Sequence, residues 1–124
     1  MIPAERPAVA AIVRLGAVES TQAEAFRLAA EGAPDRTVVI ADYQSAGRGR
    51  RGRVWEAEPG AGLLASIVVR PVGPAAAWPL LSLVTSVAVA ETLARLAGLT
   101  ARLKWPNDVL VGGRKIAGIL LESR

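Results

Sequence analysis

Gly47-Arg48-Gly49-Arg50-Arg51-Gly52-Arg53-Val54-Trp55 is the stretch on which the reading of this chain turns. Four arginines and three glycines occupy seven positions, and a tryptophan stands two residues further on. Planar guanidinium forks match carboxylate and phosphate oxygens, while glycine permits close backbone approach and positive φ. The segment is therefore suited to an anion. Taken alone it fits three readings: a solvated charge run, an arginine-glycine nucleic-acid segment, and a nucleotide site in which phosphates meet arginine and backbone N–H groups while Trp55 stacks on a base. The nucleic-acid form is normally a repeated array, and here one copy lies between two apolar runs.

Outward from this stretch, Thr37 to Ala41 is a β-branched run that reads as a buried strand, and Asp42, Tyr43 and Gln44 lead from it into the arginines. On the other side Pro59-Gly60 marks a turn before a second strand over Leu63 to Arg70. Further towards the N-terminus, Val9 to Leu15 fits a first strand. Thr21 with Glu24 fits a capping box opening a short helix, with Phe26, Ala29 and Ala30 on its apolar face and Gly32 at its end. A helix start is also a natural edge for a ligand, so Ser20 and Thr21 are read both as caps and as candidate contacts.

Towards the C-terminus, Pro71 to Pro74 interrupts the pattern, and apolar residues then return at helical spacing from about Pro79 to Ala97, with Gly98 as the stop. This is expected to be the main helix on the sheet, its apolar face in the core and Trp78 packing at its start. Arg102 to Trp105 reads as a strand stopped by Pro106-Asn107-Asp108. Val109 to Val111 and Lys115 to Leu121 then flank Gly112-Gly113 as a hairpin. Gly118 leaves a gap in its second strand of the kind that marks close approach by backbone or ligand.

Composition narrows the chemistry. The 124 residues make one domain or a piece of one, with no internal repeat or low-complexity tract. Histidine and cysteine are both absent, which excludes thiol and imidazole catalysis, ordinary zinc sites and Ser-His-Asp hydrolysis, while carboxylate-bound magnesium stays open. The net charge of +4 does not by itself indicate nucleic acid, since four basic residues sit in the one stretch and most of the others are scattered. Met1 to Ala10 carries Glu5, Arg6 and two prolines rather than a secretory signal, and the apolar tract around Leu80 to Ala90 is broken by Ser82, Thr85 and Ser86. The expectation is a soluble cytoplasmic protein without a membrane span.

Ser20-Thr21, then Tyr43 to Trp55, then Lys104-Trp105-Pro106-Asn107-Asp108, then Arg114-Lys115-Ile116-Ala117-Gly118-Ile119-Leu120 together resemble, in order and spacing, the biotin protein ligases. The resemblance runs from about Val13 to Arg124. It implies an α/β (α+β) fold, a mixed β-sheet backed by helices of the class II synthetase-like kind. It also implies that residues 1–124 hold a single, partial catalytic domain, about its first half. No helix-turn-helix precedes the resembling region, so no specific nucleic-acid binding is expected; homodimerisation is left open. The implied reaction joins biotin to a lysine of a biotin carboxyl carrier protein, through biotinyl-AMP made from ATP with Mg²⁺.

Carried over position by position, the resemblance implies that Ser20, Thr21 and Gln44 hydrogen-bond the biotin ring and that Gly118 leaves room beside it. Arg48 and Arg50 would hold the carboxylate and phosphate region, and Lys115 the carboxylate and acyl-phosphate oxygens. Trp55 would cover the adenine, Asn107 and Asp108 would lie near the nucleotide, and Asp108 would orient the incoming amine. The catalytic set is thus Lys115, Arg50, Arg48 and Asp108, with no metal ligand assigned. Gln22 departs from the family pattern, which has asparagine after Ser-Thr. Two alternatives stand beside this reading: a non-catalytic biotin- or nucleotide-binding fragment, and a lipoate protein ligase.

Overall fold

The computed structural model describes residues 9–124, so most of the Met1–Ala10 segment weighed for a leader lies outside the described residues. The chain divides into two compact units, one ending at Pro71 and the other beginning at Val72, at the Pro71–Pro74 interruption.

In the first unit β1 (Ala11–Val18) and β2 (Thr37–Gln44) pair in parallel, and β5 (Leu64–Ile67) adds to the far side of β2 antiparallel, so the sheet is mixed with order β1-β2-β5. A parallel pair needs a crossover, which here is helix α1 (Thr21–Ala30). The core joins Ala25 of α1 to Val39 and Val68, with Leu15, Leu28 and Ala29 packed around them. Val39 is fully buried, a contribution of about 1.5–3 kcal/mol relative to exposure. Phe26 is only partly buried, and the small residues Ala25 and Ala29 take the sheet-facing positions because the helix lies close to the strands. Arg70 closes the lower end of α1, its guanidinium donating to the carbonyls of Ala29 and Ala33.

The expected capping box is corrected. Ser20, not Thr21, is the N-cap, and its Oγ accepts from the N–H groups of Gln22 and Ala23. Thr21 is the first helical residue. Glu24 turns instead to Arg27, which also meets Glu31 on the exposed face.

Between β2 and β5 the arginine stretch forms a hairpin of its own, β3 (Gly47–Arg48) and β4 (Val54–Trp55), paired antiparallel. Arg51 (φ 57°, ψ 39°) and Gly52 (φ 72°) occupy successive left-handed positions, and Arg53 N–H donates to the Arg50 carbonyl at 3.1 Å. Two central residues with positive φ make a type I′ turn, whose twist suits a hairpin and whose first central position ordinarily takes asparagine or glycine.

In the second unit β6 (Ala101–Lys104), β7 (Asp108–Val111) and β8 (Arg114–Gly118) form an antiparallel sheet in that order. Gly112 and Gly113, both at positive φ, turn β7 into β8 as the glycine pair predicts. Helix α2 (Leu80–Ala97) packs on β6 and β7 and ends where left-handed Gly98 donates to Ala94. The expectation that its apolar face is core needs correction: Ser86 is its one buried residue, while Leu80, Val84, Val87 and Leu96 are exposed. Its apolar residues surround the axis, and a three-stranded sheet covers only one side. By length and mean hydropathy (18 residues, 1.5) α2 would also suffice to cross a bilayer.

Candidate functional site

The parallel pairing of β1 and β2 decides what meets at their C-terminal ends. Val18 stands opposite Gln44, and the ladder continues as Ser45 N–H donates to Val18 and Ala46 N–H to Glu19. The start of α1 is therefore brought beside the exit of β2, the edge of an α/β sheet where ligands commonly bind.

There Gln44 Oε1 accepts from both Thr21 N–H (2.8 Å) and Thr21 Oγ1 (3.0 Å), across 23 positions of sequence. Thr21 Oγ1 lies 2.7 Å from Ser66 Oγ of β5, and Ser66 Oγ donates to Gln22 Oε1 at 2.7 Å. Ser20, Thr21 and Ser66 are all buried. Buried polar groups are stable when hydrogen-bonded and expensive otherwise, so this cluster is a rigid assembly. Sequence reasoning found Ser20, Thr21 and Gln44 but passed over Ser66 and gave Gln22 no partner. The available signal was a serine in a strand whose neighbours are apolar.

Gly47 has its own reason to be glycine. A Cβ there would meet the Trp55 carbonyl and stand 2.8 Å from Gln44 Nε2. The hairpin thus closes directly on the Gln44 side chain. Arg48 and Arg50 are half-buried, whereas Arg51 and Arg53 are exposed, so the four arginines are not equivalent. Trp55 lines a cleft of about 530 Å³ together with Tyr43, Gln44, Val54, Glu56 and Glu58. The two carboxylates of that cleft were not marked by the sequence reading.

In the second unit Lys115 Nζ lies 3.0 Å from Asp108 Oδ1, a pair made across β7 and β8 beside an irregularity in their register at Val109/Leu110. The Lys115 side chain is 42% exposed, with Asp108 the more enclosed at 19%. Asn107 is held in place from both ends, its carbonyl accepting from Ile119 N–H and its Nδ2 donating to the Ile119 carbonyl, each at 2.9 Å. Gly118 faces Asp108 across the ladder.

The first unit thus offers rigid neutral hydrogen-bonding groups beside arginines; the second offers a lysine–aspartate pair. The model of the biotin/lipoate A/B protein ligase family matches residues 15–124, and the chain belongs to that family. The chain is 47% identical over 108 residues to the biotin--[acetyl-CoA-carboxylase] ligase of Mycobacterium tuberculosis, covering 83% of this chain and 41% of that protein. It is 45% identical over 107 residues to the bifunctional ligase/repressor BirA of Bacillus subtilis, covering 86% and 33%. Among solved structures, biotin protein ligase from Aquifex aeolicus in complex with biotin and ATP matches with a TM-score of 0.77 and 34% identity, over 92% of this chain and 47% of that one. The Leishmania major enzyme in complex with biotinyl-5-AMP matches at 0.77 and 27%, over 93% and 53%. The fold is that of biotin protein ligase catalytic domains, and the chain spans between a third and about half the length of these relatives.

Proposed function

We propose that the chain carries the adenylating part of a biotin–protein ligase, which activates biotin as biotinyl-5′-AMP and passes it to a lysine of a biotin carboxyl carrier protein in the cytoplasm. The observation that supports this most directly is the likeness over nearly the whole chain to a ligase holding biotinyl-5-AMP. Biotin's ring needs donors and acceptors when buried, and Ser20, Thr21 and Gln44 supply them.

The first step sets a carboxylate against a triphosphate. Arg48, Arg50 and Lys115 offset that repulsion and the charge that grows as the carboxylate oxygen attacks the α-phosphorus and pyrophosphate leaves. Trp55 and Asn107 attend the nucleotide. In the second step the carrier amine attacks the acyl carbon, the C–N bond forms as the C–O bond to AMP breaks, and Asp108 orients the amine and takes up a proton. Magnesium, when bound with ATP, supplies further charge neutralisation on the phosphates. Among the described residues no group of three or more Asp and Glu side chains could hold a metal ion.

Biotin-dependent ATP–pyrophosphate exchange on the purified chain tests the reading, with lipoate as the competing acid. Exchange with biotin alone is expected. Exchange with lipoate would move the assignment to the other branch of the family, and none from a demonstrably folded chain would leave a binding fragment.

A further inference from the structure

On the sheet of the second unit, Asp108 stands between two lysines. Lys104, the last residue of β6, is its direct partner across the β6–β7 ladder. Side chains opposed in this way share a face of the sheet, with Cβ atoms about 4.5–5.5 Å apart. On the other flank the residue opposite Asp108 is Gly118, which has no side chain, and Lys115 reaches Asp108 Oδ1 across the register irregularity at 3.0 Å. The chain's two lysines thus flank one carboxylate, and one of them is engaged. Among the described residues Lys104 is exposed and makes no ion pair, and the contact with Lys115 is the one ion pair of Asp108.

On the ligase reading, on which the functional side of this inference rests, Lys115 serves the acid and acyl-phosphate oxygens, and to reach them it must let go of Asp108. Its departure would leave a carboxylate that is 19% exposed without a counter-charge and close to an anionic substrate. An enclosed charge needs a partner, and like charges repel. We propose that Lys104 is a positioning residue that takes over Asp108 when Lys115 turns to an anion. Its flexible four-carbon stem makes the move without any change in the strands. Asp108 is neutralised before and after the hand-over, and Lys115 is released to the substrate.

Trace acetylation of the full chain with acetic anhydride, read at Lys104 by mass spectrometry, tests the hand-over without a ligand. A lysine held by a carboxylate keeps its proton and is acylated more slowly. In Lys115→Ala, where Asp108 has lost its first partner, Lys104 should react roughly two- to fivefold more slowly than in wild type, the scale of an ion pair open to solvent. The same change in an Asp108→Asn background removes the same lysine charge but offers no carboxylate, and there the Lys104 rate should hold. In biotin-dependent ATP–pyrophosphate exchange, Lys104→Met should lower the rate about tenfold. Lys104→Arg should restore most of it, and Lys104→Met should add nothing in the Asp108→Asn background. A Lys104 acetylation rate indifferent to Lys115→Ala, or falling equally in the Asp108→Asn background, would overturn the proposal. So would an equal loss of pyrophosphate exchange from Lys104→Met in both backgrounds, which would make Lys104 a direct contact of the phosphates. Slower Lys104 acetylation in Lys115→Ala, beside a folded wild-type chain that gives no exchange with biotin, would uphold the hand-over and overturn the ligase reading.

Discussion

The cluster around Thr21 and the Asp108–Lys115 pair handle polarity in opposite ways. The first is largely buried and neutral, with the Thr21 and Ser66 hydroxyls bonded to each other and to glutamine side chains. The second is charged and substantially open to solvent, with Lys115 Nζ 3.0 Å from Asp108 Oδ1. A neutral ring gains from dipoles that are fixed before it arrives, since reorganising them would cost affinity. An acid that becomes an anhydride changes charge during reaction, and groups that can exchange partners follow it better. The contrast predicts that damage to the buried cluster falls on stability and affinity together, whereas damage to the exposed pair falls on rate alone.

Lys115→Ala should produce the largest effect, a fall in adenylate formation of about 10²–10³-fold. Its unfolding free energy should move by less than about 1 kcal/mol, because an exposed ion pair contributes little. Exchange kinetics and urea denaturation check the two halves of this statement, and normal turnover would remove Lys115 from the catalytic set. Thr21→Val removes the hydroxyl at the centre of the cluster and leaves Ser66 and Gln44 short of a partner. It should cost about 1–3 kcal/mol in stability and weaken biotin about tenfold; a variant as stable as wild type would show the cluster to be less rigid than the contrast requires.

Gly47→Ala sharpens the comparison from the hairpin side. Its Cβ would press on the Trp55 carbonyl and the Gln44 amide, so a loss of about 1–3 kcal/mol and weakened biotin binding are expected. The control is Gly49→Ala, whose Cβ would meet Arg53 Cβ at an ordinary 3.4 Å and which should be far milder. Equal denaturation midpoints for the two variants would refute the close-approach argument. The smallest effect belongs to Arg51→Asn. Asparagine accepts the left-handed conformation that Arg51 adopts at φ 57°, and a gain of about 0.5–1 kcal/mol should appear as a higher melting temperature.

Much of this was legible because it follows from local rules. Gly112-Gly113 turned β7 into β8, Gly98 ended α2, and the β-branched run at Thr37 lies within a buried strand, as period and turn chemistry required. Thr21 was misread as a cap because the Thr-x-x-Glu pattern is equally satisfied one residue from the true start. Only the neighbouring Gln44 and Ser66 show where its hydroxyl goes. Ser66 was harder to single out, since a lone serine among apolar strand residues carries no periodic signal. The exposure of α2 was hidden for a related reason: apolar spacing shows that a helix can be covered, not that anything covers it.

The sequence by itself determined the order of elements, the anion-suited stretch, the absence of thiol and imidazole chemistry, and the family, because each depends on residue type and spacing along the chain. Tertiary structure alone decided which arginines are half-buried, that Lys115 leans on Asp108, and that Gln44 turns its carbonyl to Thr21. Those depend on strand pairing and register: β7 with β8 for Lys115 and Asp108, and β1 and β5 on either side of β2 for Thr21, Gln44 and Ser66, which lie 23 to 45 residues apart in sequence.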